Sequence, residues 1–269
     1  MNAHLLDGLT LPIMFLTAMV LQILFIELGF RYGRLRQGKP KPHRGQMAQV
    51  RAIMGASLGL LAFMLAFSFS MAQQHHEERA IAYMQEVSAV DTAYRASDLI
   101  LHEQRRNAKQ LLRQFIDQRL ASARALKRGD LTDTLQRVRQ SEQLHDALWR
   151  IAEQSMEGEG DHEDTGLFAG AVLAMISAHD ARLQAAFYNR ISPVIWLSLL
   201  LLALLSMIVM GYQAGLTGTR SKLATWSIAL TFSLVLVLIT DLDRPNSTLF
   251  EMSQDLMTAL AQRMEASNG

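Results

Sequence analysis

Four long stretches of the chain carry almost no charge, and they dominate its pattern of apolar and polar positions. They lie at about residues 9–30, 52–72, 194–212 and 223–240. A bilayer core is crossed by roughly 17–25 apolar residues of helix, and each stretch meets that length. A helix packed inside a soluble protein shows a polar stripe every 3.6 residues, whereas these stretches are apolar all round. The pattern therefore predicts four transmembrane helices.

A long polar region separates the second stretch from the third, and its apolar positions recur at helical spacing. We predict four helices in it, at about residues 75–101, 103–127, 130–156 and 166–191. Asp130 or Thr132 can cap the third of these helices, and Thr165 can cap the fourth. The region shows no strand-like alternation. The prediction is an all-α membrane protein with a helical bundle inserted between transmembrane helices two and three.

These elements divide the chain into four parts. Residues 1–72 hold transmembrane helices one and two, 73–192 the bundle, 193–245 helices three and four, and 246–269 a short amphipathic tail. No Gly or Pro separates the second transmembrane helix from the first bundle helix, which predicts one unbroken helix. At the other junction, Pro193 indicates a kink or a helix restart.

Lysine and arginine in the short loops predict the orientation. The first loop carries seven basic residues and no acidic one: Arg31, Arg34, Arg36, Lys39, Lys41, Arg44 and Arg51. The loop before the fourth transmembrane helix adds Arg220 and Lys222. The positive-inside rule places both loops in the cytoplasm, so both termini and the bundle lie outside. Because residues 1–8 contain no Lys or Arg, we interpret the first stretch as a retained anchor rather than a cleaved signal peptide.

The amino-acid composition excludes several kinds of functional site. The 269 residues include no cysteine, which excludes disulfides, thiolate metal sites and cysteine nucleophiles. His75 and His76 precede two glutamates, but adjacent helix positions point about 100° apart and do not converge on one metal ion. No phosphate loop, dinucleotide fingerprint or nucleophile elbow is present. We predict no metal, no cofactor, no enzymatic activity and no nucleic-acid partner. Topology accounts for the basic loop, with attraction to anionic lipid as a compatible addition.

The second transmembrane stretch carries the strongest functional signal. Gly55 and Gly59 form a GxxxG pair, small residues continue to Ser70, and Phe63 and Phe67 lie four apart on one face. Small residues let helices approach closely, which is typical of packing within one subunit. The pattern also fits a pore-lining helix whose phenylalanine rings form an apolar constriction that gates by dewetting. Both can hold in an oligomer in which one face packs and another lines the axis.

Charged residues lie at both edges of the predicted membrane region. Glu27 and Arg51 each lie near the cytoplasmic end of a helix, where they can pair, or Glu27 can extend to the headgroups. At the opposite edge, the fourth transmembrane helix ends in Asp241, Asp243 and Arg244, followed by a proline. We predict that these three residues fix that helix against charges at the base of the bundle. The predicted set, which we call the clasp, is Asp241, Asp243, Arg244, Arg79, Glu86 and Arg95. The alternative is a plain interfacial helix stop.

Several pieces of sequence, taken in order, resemble the bestrophin-like domain family of mostly bacterial membrane proteins. They are "GASLGLLAFMLAFSFSMA", Arg79, "EVSAVDTAYRASDL", "FIDQRL", "ALW", "RISPVIW", "MGYQAGLTG" and "LDRP", within residues 31–253. Two positions depart from the family pattern: Val87 replaces an alanine, and Asn246 stands where a glycine is usual. In a bacterial inner membrane, the outer side predicted for the bundle is the periplasm.

The family name implies a distant likeness to bestrophins, which are pentameric anion channels with four transmembrane helices per subunit. The resemblance implies a homo-oligomer in the lipid bilayer that conducts an inorganic anion. The pattern of the second stretch predicts its gate at Phe63 and Phe67. Bestrophins keep their helical domain in the cytosol, whereas the charge pattern here places it outside. Because a fold does not fix a function, a second hypothesis remains: a non-conducting membrane scaffold or sensor whose bundle binds a partner.

Overall fold

The computed structural model describes residues 10–36, 44–158, 161–218, 221–247, 249 and 253–266. In these residues it contains no strand and eight α-helices: α1 Leu11–Arg36, α2 Arg44–Ala96, α3 His102–Lys127, α4 Leu131–Glu157, α5 His162–Phe187, α6 Pro193–Thr217, α7 Lys222–Asp243 and α8 Asp255–Ala266. A 3₁₀ turn, Ser97–Leu99, follows α2. The predicted all-α class is confirmed.

Polar side chains, glycines and a proline set the ends of the helices. Asp130 caps α4 by accepting a hydrogen bond from the backbone N–H of Asp133. Gly129 and Gly218, which follow α3 and α6, have positive φ values of 77° and 70°, a conformation that glycine adopts without steric cost. Pro193 begins α6, where its missing N–H leaves no helical bond unmade.

The predicted bounds of α5 are wrong at both ends. The helix begins before Thr165, because Asp161 serves as the cap and accepts a hydrogen bond from the backbone N–H of Glu163 at 2.9 Å. The helix ends at Phe187 and does not reach Ile191. The backbone N–H of Ile191 is instead bound by a side chain of α7.

The helices form two compact units, each with its own core. Residues 1–75 and 190–244 make up the first, which we call the membrane unit, and residues 76–189 and 245–269 make up the bundle unit. Helix α2 contributes to both. Four helices, α1, α2, α6 and α7, are long and apolar enough to cross a membrane. This confirms the predicted number of transmembrane helices.

The core of the membrane unit is built from one face of each apolar helix. Ile26, Leu65, Met207 and Ile239 are buried in it, one from each of α1, α2, α6 and α7. Large apolar side chains on other faces are exposed, among them Leu234, at 60%. Exposed leucines are expected where a helix surface meets lipid tails, which are as apolar as the side chains.

Helices α1 and α6 cross at backbone contact through two GxxxG pairs. A methyl group at Gly29 would overlap the carbonyl oxygen of Ile208, and one at Gly211 would overlap the carbonyl oxygen of Ile26. Small residues permit such approach of two membrane helices, and only hydrogen fits at these positions. We call the four glycines in this contact the glycine seam: Gly29, Gly33, Gly211 and Gly215.

The bundle unit packs α2 to α5 around an apolar core that includes Val90, Phe115, Leu148 and Val172. Helix α8 joins this core by its own apolar face, through Met257, Leu260 and Met264. The predicted amphipathic tail therefore contains a helix that is docked on the bundle.

Hydrogen bonds hold both ends of α8. The backbone N–H of Met257 donates to the hydroxyl of Tyr83 at 3.0 Å. At the other end, the carbonyl of Met264 accepts from the hydroxyl of Tyr94 at 3.3 Å and from Arg113 at 2.6 Å. These partners satisfy backbone groups that a helix end leaves without an intrahelical bond.

Candidate functional site

One face of α2 in the membrane unit is not covered by the described helices of the chain. Phe63 and Phe67 are 65% and 50% exposed. A Cβ atom added at Gly55 or Gly59 would meet no described atom within 4 Å. Ser70 is exposed near the end of the same face. The structure thus brings the five residues predicted for a pore onto one open surface, which we call the α2 face.

The opposite face of α2 makes its contacts inside the membrane unit. Leu61, Leu65 and Ala72 are buried in the core of that unit. Their spacing of four and seven residues places them on one side of the helix. Within the described residues, packing in a single subunit therefore uses this side and does not use Gly55 or Gly59.

Asp243 lies at the centre of a buried cluster at the end of α7. Its carboxylate accepts the backbone N–H of Ile191 at 2.8 Å. It also lies 3.6 Å from Nε of Arg190 and 3.8 Å from Nδ1 of His75. Asp243 is 2% exposed, and a carboxylate so buried needs partners of this kind. Asp243 thereby links the end of α7 to α2 and to the segment that enters α6.

The neighbouring charges are buried as well. Asp241 is 1% exposed and Arg244 is 5% exposed, and Arg244 donates a hydrogen bond to the sulfur of Met14 on α1. A plain helix stop at the membrane surface would leave these side chains in water, whereas here they are buried. The other predicted members of the clasp belong to the bundle unit: Arg79, Glu86 and Arg95. The clasp as a whole stays a prediction.

Those three members differ in their surroundings within the bundle unit. Arg79 is 6% exposed. Arg95 is exposed and pairs with Asp91 one turn earlier on α2, with Nε 3.2 Å from the carboxylate. Pairs of this kind on a helix surface contribute only a few tenths of a kcal/mol, about 0.3–0.5. Glu86 is fully buried.

Glu27 on α1 has a partner on its own helix. The Nε of Arg31 donates to its carboxylate at 3.1 Å. Arg51, the partner predicted from the sequence, is exposed. The pairing of Glu27 with Arg51 stays a prediction.

Glu86 is the centre of a buried ion cluster in the bundle unit. Its side chain is 0% exposed. The Nε of Arg119 on α3 donates to Oε1 at 2.9 Å, and Nδ1 of His179 on α5 lies 2.7 Å from the same oxygen. Arg182, one turn further along α5, donates to Oε2. Three helices thus contribute to one group, which we call the Glu86 cluster: Glu86, Arg119, His179 and Arg182.

Electrostatics keep the cluster charged. Burial by itself raises the pKa of Glu86, but Arg119 and Arg182 outweigh it and hold that pKa well below its usual range. Burial lowers the pKa of Arg119 to about 10, with Glu86 acting in the opposite direction. At neutral pH one carboxylate therefore faces two guanidinium groups. Removing the carboxylate or the guanidinium groups by mutation would lower the stability of the fold, because it leaves a buried charge without compensation.

His145 on α4 lies beside this cluster. Its ring centroid is 4.8 Å from that of His179 and 5.0 Å from that of Phe115. Burial is the main cause that lowers the pKa of His145 to about 4, and the neighbouring His179 acts in the same direction. His145 is therefore neutral at neutral pH. It adds the fourth helix of the bundle to the polar centre.

The part of the chain that the structure describes contains no group of three or more His, Asp or Glu side chains placed to hold a metal ion. His145 and His179 offer two neighbouring ring nitrogens, but Arg119 and Arg182 lie close to them. Nearby positive charges disfavour a bound cation. What the arrangement does is join α2, α3 and α5 at one buried point.

The sequence predicted Glu86 as a member of the clasp, and Arg119 stood only within the motif "FIDQRL" of the family resemblance. It singled out neither His145 nor His179. A usable signal was present for Glu86. It lies four and seven residues before Val90 and Ala93, which are buried, so it occupies an inward position of α2. A carboxylate at an inward position requires buried partners.

The fold and these contacts define a helical membrane protein with four membrane-crossing helices and a helical bundle inserted between the second and third. The model of the Bestrophin-like domain family matches residues 29–254. The chain belongs to this family, as the ordered motifs of the sequence indicated. No curated protein and no solved structure shows a match to the chain.

Proposed function

We propose that the chain is one subunit of an oligomeric ion channel, conducting an inorganic anion, in which the α2 face surrounds the axis. The open α2 face carries this proposal. The chain's other two membrane GxxxG pairs are both engaged in the glycine seam, whereas a Cβ atom added at Gly55 or Gly59 would meet no described atom within 4 Å. A second copy of the chain is the occupant that such a face requires in an oligomer. Membership of the family supports an oligomeric assembly.

In this proposal Phe63 and Phe67 form the gate. Rings of exposed phenylalanine around a narrow axis exclude water when they close together, and ions do not pass a dewetted constriction. Ser70 then lies on the next turn, where its hydroxyl offers a polar surface to an ion beyond the constriction. The small side chains at Gly55 and Gly59 let neighbouring α2 helices approach closely on the other side of the gate.

Flux into liposomes tests the proposal. The purified chain should pass chloride, and Phe63→Ala with Phe67→Ala should increase the leak several-fold because the constriction widens. Leu230→Ala with Leu234→Ala is the matched control, since these side chains on α7 are 50% and 60% exposed and four residues apart. This control should leave the flux unchanged. Wild-type flux no greater than that of empty liposomes, for any ion, would end the channel proposal.

The proposal includes an orientation, with both termini and the bundle unit on the periplasmic side of a bacterial inner membrane. The basic loops support it. Because the chain has no cysteine, single cysteines report the topology cleanly. In intact cells, an impermeant maleimide should label Ser177→Cys, which is exposed on α5, and should not label Arg34→Cys. The opposite labelling pattern would invert the topology.

The second candidate function is a scaffold whose bundle unit binds a partner protein. A specific surface favours it. On α5, Leu167 and Leu173 are 57% and 53% exposed, and Cβ atoms at Gly166 and Gly170 would meet no described atom within 4 Å. An extramembrane helix that is apolar on both sides is typical of an interaction surface. Loss of a co-purifying protein in Leu167→Glu, together with absence of flux in the wild type, would favour the scaffold.

A further inference from the structure

The interior of the membrane unit contains four buried polar side chains that the channel proposal does not use, which we call the polar centre. Gln22, Ser68, Ser206 and Ser233 come from α1, α2, α6 and α7 respectively, and each is at most 2% exposed. The Nε2 of Gln22 donates to Oγ of Ser233 at 3.0 Å. Each of the four apolar helices therefore contributes one buried polar side chain.

Three polar atoms of this centre have no hydrogen-bond partner among the described residues: Oε1 of Gln22, Oγ of Ser68 and Oγ of Ser206. Other hydroxyls of the same unit bond back to their own helix. Ser198 donates to the carbonyl of Val194 at 2.8 Å. Thr240 donates to the carbonyl of Leu236 at 2.7 Å. Ser68 and Ser206 forgo this bond. In hydrocarbon, a buried polar atom without a partner is unfavourable, so each of the three needs a partner of another kind.

The four side chains lie at similar depth. In the glycine seam, Ile26 meets Gly211 and the two helices run in the same direction. Gln22 is four residues before Ile26, which corresponds to about 6 Å along α1. Ser206 is five residues before Gly211, which corresponds to about 7.5 Å along the parallel helix α6. Along the helix axes, Gln22 and Ser206 therefore lie at nearly the same level, on the N-terminal side of the contact between Ile26 and Gly211.

A second anchor gives the levels on α2 and α7. His75 lies 3.8 Å from Asp243, at the ends of segments that run in the same direction. Ser68 is seven residues before His75, about 10 Å, and Ser233 is ten residues before Asp243, about 15 Å. The difference is about one helical turn. Gln22, hydrogen-bonded to Ser233, joins the two pairs of helices.

We propose that this centre binds water inside each subunit, bridging Gln22 to Ser206 and Ser68. Buried water usually makes two to four hydrogen bonds to protein groups, and three atoms on three helices are available here. The donors and acceptors are all neutral, and no carboxylate is among the four side chains. A metal cation would carry an uncompensated charge in hydrocarbon, which is strongly unfavourable. This site lies inside one subunit and does not require that the protein conducts ions.

Alanine substitution tests the proposal on the full chain in nanodiscs. If water bridges these groups, Ser206→Ala and Ser68→Ala each remove a partner and lower the midpoint of thermal unfolding by about 3 °C. The double variant should lose less than the sum, because the two hydroxyls serve the same water. Ser198→Ala is the matched control on α6, exposed and bonded to its own helix, and should change the midpoint by less than about 1 °C.

If the polar centre holds no water, the alanine substitutions should change the unfolding midpoint in the opposite direction. There, each alanine removes a polar atom without a partner, and the midpoint stays the same or rises, which would overturn the proposal. A midpoint that rises with sodium concentration at constant ionic strength, in the wild type but not in Ser206→Ala, would show a cation instead of water. Solid-state NMR gives a direct readout. Polarisation transfer from water should reach the side-chain amide of Gln22 and weaken in Ser206→Ala, and no transfer in the wild type would contradict the proposal.

Discussion

The membrane unit and the bundle unit hold their helices together with different chemistry. The bundle unit places full charges at its centre, with Glu86 between Arg119, Arg182 and His179. The centre of the membrane unit has neutral groups and backbone contact: the glycine seam and the pair formed by Gln22 and Ser233. Its buried charges, including Asp243 and Arg244, lie at the end of α7.

The solvent around each unit accounts for this difference. A helix surrounded by lipid gains little from apolar contact with another helix, so small residues that permit close approach stabilise the pair. A bundle in water is stabilised by burying apolar surface and can accommodate a compensated ion cluster within it. The α2 face, in the membrane unit, has the small residues of a seam, but no helix among the described residues faces it. The comparison therefore points to a second copy as its partner.

Among the substitutions proposed, the largest loss of folding stability is expected in the glycine seam. Gly211→Ala places a methyl group against the backbone carbonyl of Ile26, which cannot rotate away. Helices α1 and α6 must separate, and we expect a loss of at least about 4 kcal/mol of stability. Gly55→Ala is the control, because space is open there and alanine is the better helix former by about 1 kcal/mol.

Thermal unfolding of both variants as dissociated subunits in detergent provides the measurement. Gly211→Ala should abolish the folded species or lower its midpoint sharply, while Gly55→Ala should match or exceed the wild type. Equal losses in the two variants would show that the seam and the α2 face do not differ in the way described.

The next effect belongs to the bundle unit and depends on pH. His145 has a folded-state pKa of about 4 against an ordinary value of 6.5. Between pH 6.5 and pH 4, the His145 side chain is therefore protonated in the unfolded chain but stays neutral in the folded chain. The stability contributed by neutral His145 is present above pH 6.5 and lost as pH falls towards 4, up to roughly 3 kcal/mol. The groups that face His145 are Glu86, Arg119 and His179.

Unfolding midpoints measured between pH 7.5 and pH 5 check this prediction. His145→Gln should reduce the decline over that interval, whereas His102→Gln, at an exposed position of α3, should leave it unchanged. An undiminished decline in His145→Gln would assign the pH dependence to another group.

The smallest expected effect concerns the end of α7. Arg244 is 5% exposed, whereas the side chain of Arg263 on α8 is 59% exposed and lies 4.0 Å from Asp91. Truncating a buried charged group leaves its partners unsatisfied, so Arg244→Ala should cost about 2 kcal/mol more than Arg263→Ala. Melting midpoints of the two variants measure the difference. Equal midpoints would remove the special role given to Arg244 in the clasp.

Much of the architecture could be predicted from the sequence, because it depends on local pattern. Uncharged runs predict the transmembrane helices, and Asp130 predicts the start of α4. The glycine seam was also present in the sequence, as Gly29-x₃-Gly33 and Gly211-x₃-Gly215, but spacing alone does not tell which of several GxxxG pairs meets a partner. The structure distinguishes these two engaged pairs from the pair at Gly55 and Gly59, where an added Cβ atom would meet no described atom within 4 Å.

The polar centres could not be predicted in the same way. Glu86 and His179 are 93 residues apart, and Gln22 and Ser233 are 211 residues apart. No local periodicity connects such positions, since their meeting depends on how whole helices pack. The docking of α8 was missed for the same reason: an amphipathic pattern predicts a helix with an apolar face, but not the surface that will cover it.

A cryo-EM map of the purified complex tests the central claim, that the α2 face lies between copies of the chain, most directly. The account predicts several copies around an axis, with Phe63 and Phe67 of α2 nearest to it and Gly55 and Gly59 against a neighbouring helix. A single copy, or an assembly in which Phe63 and Phe67 face lipid, would contradict it.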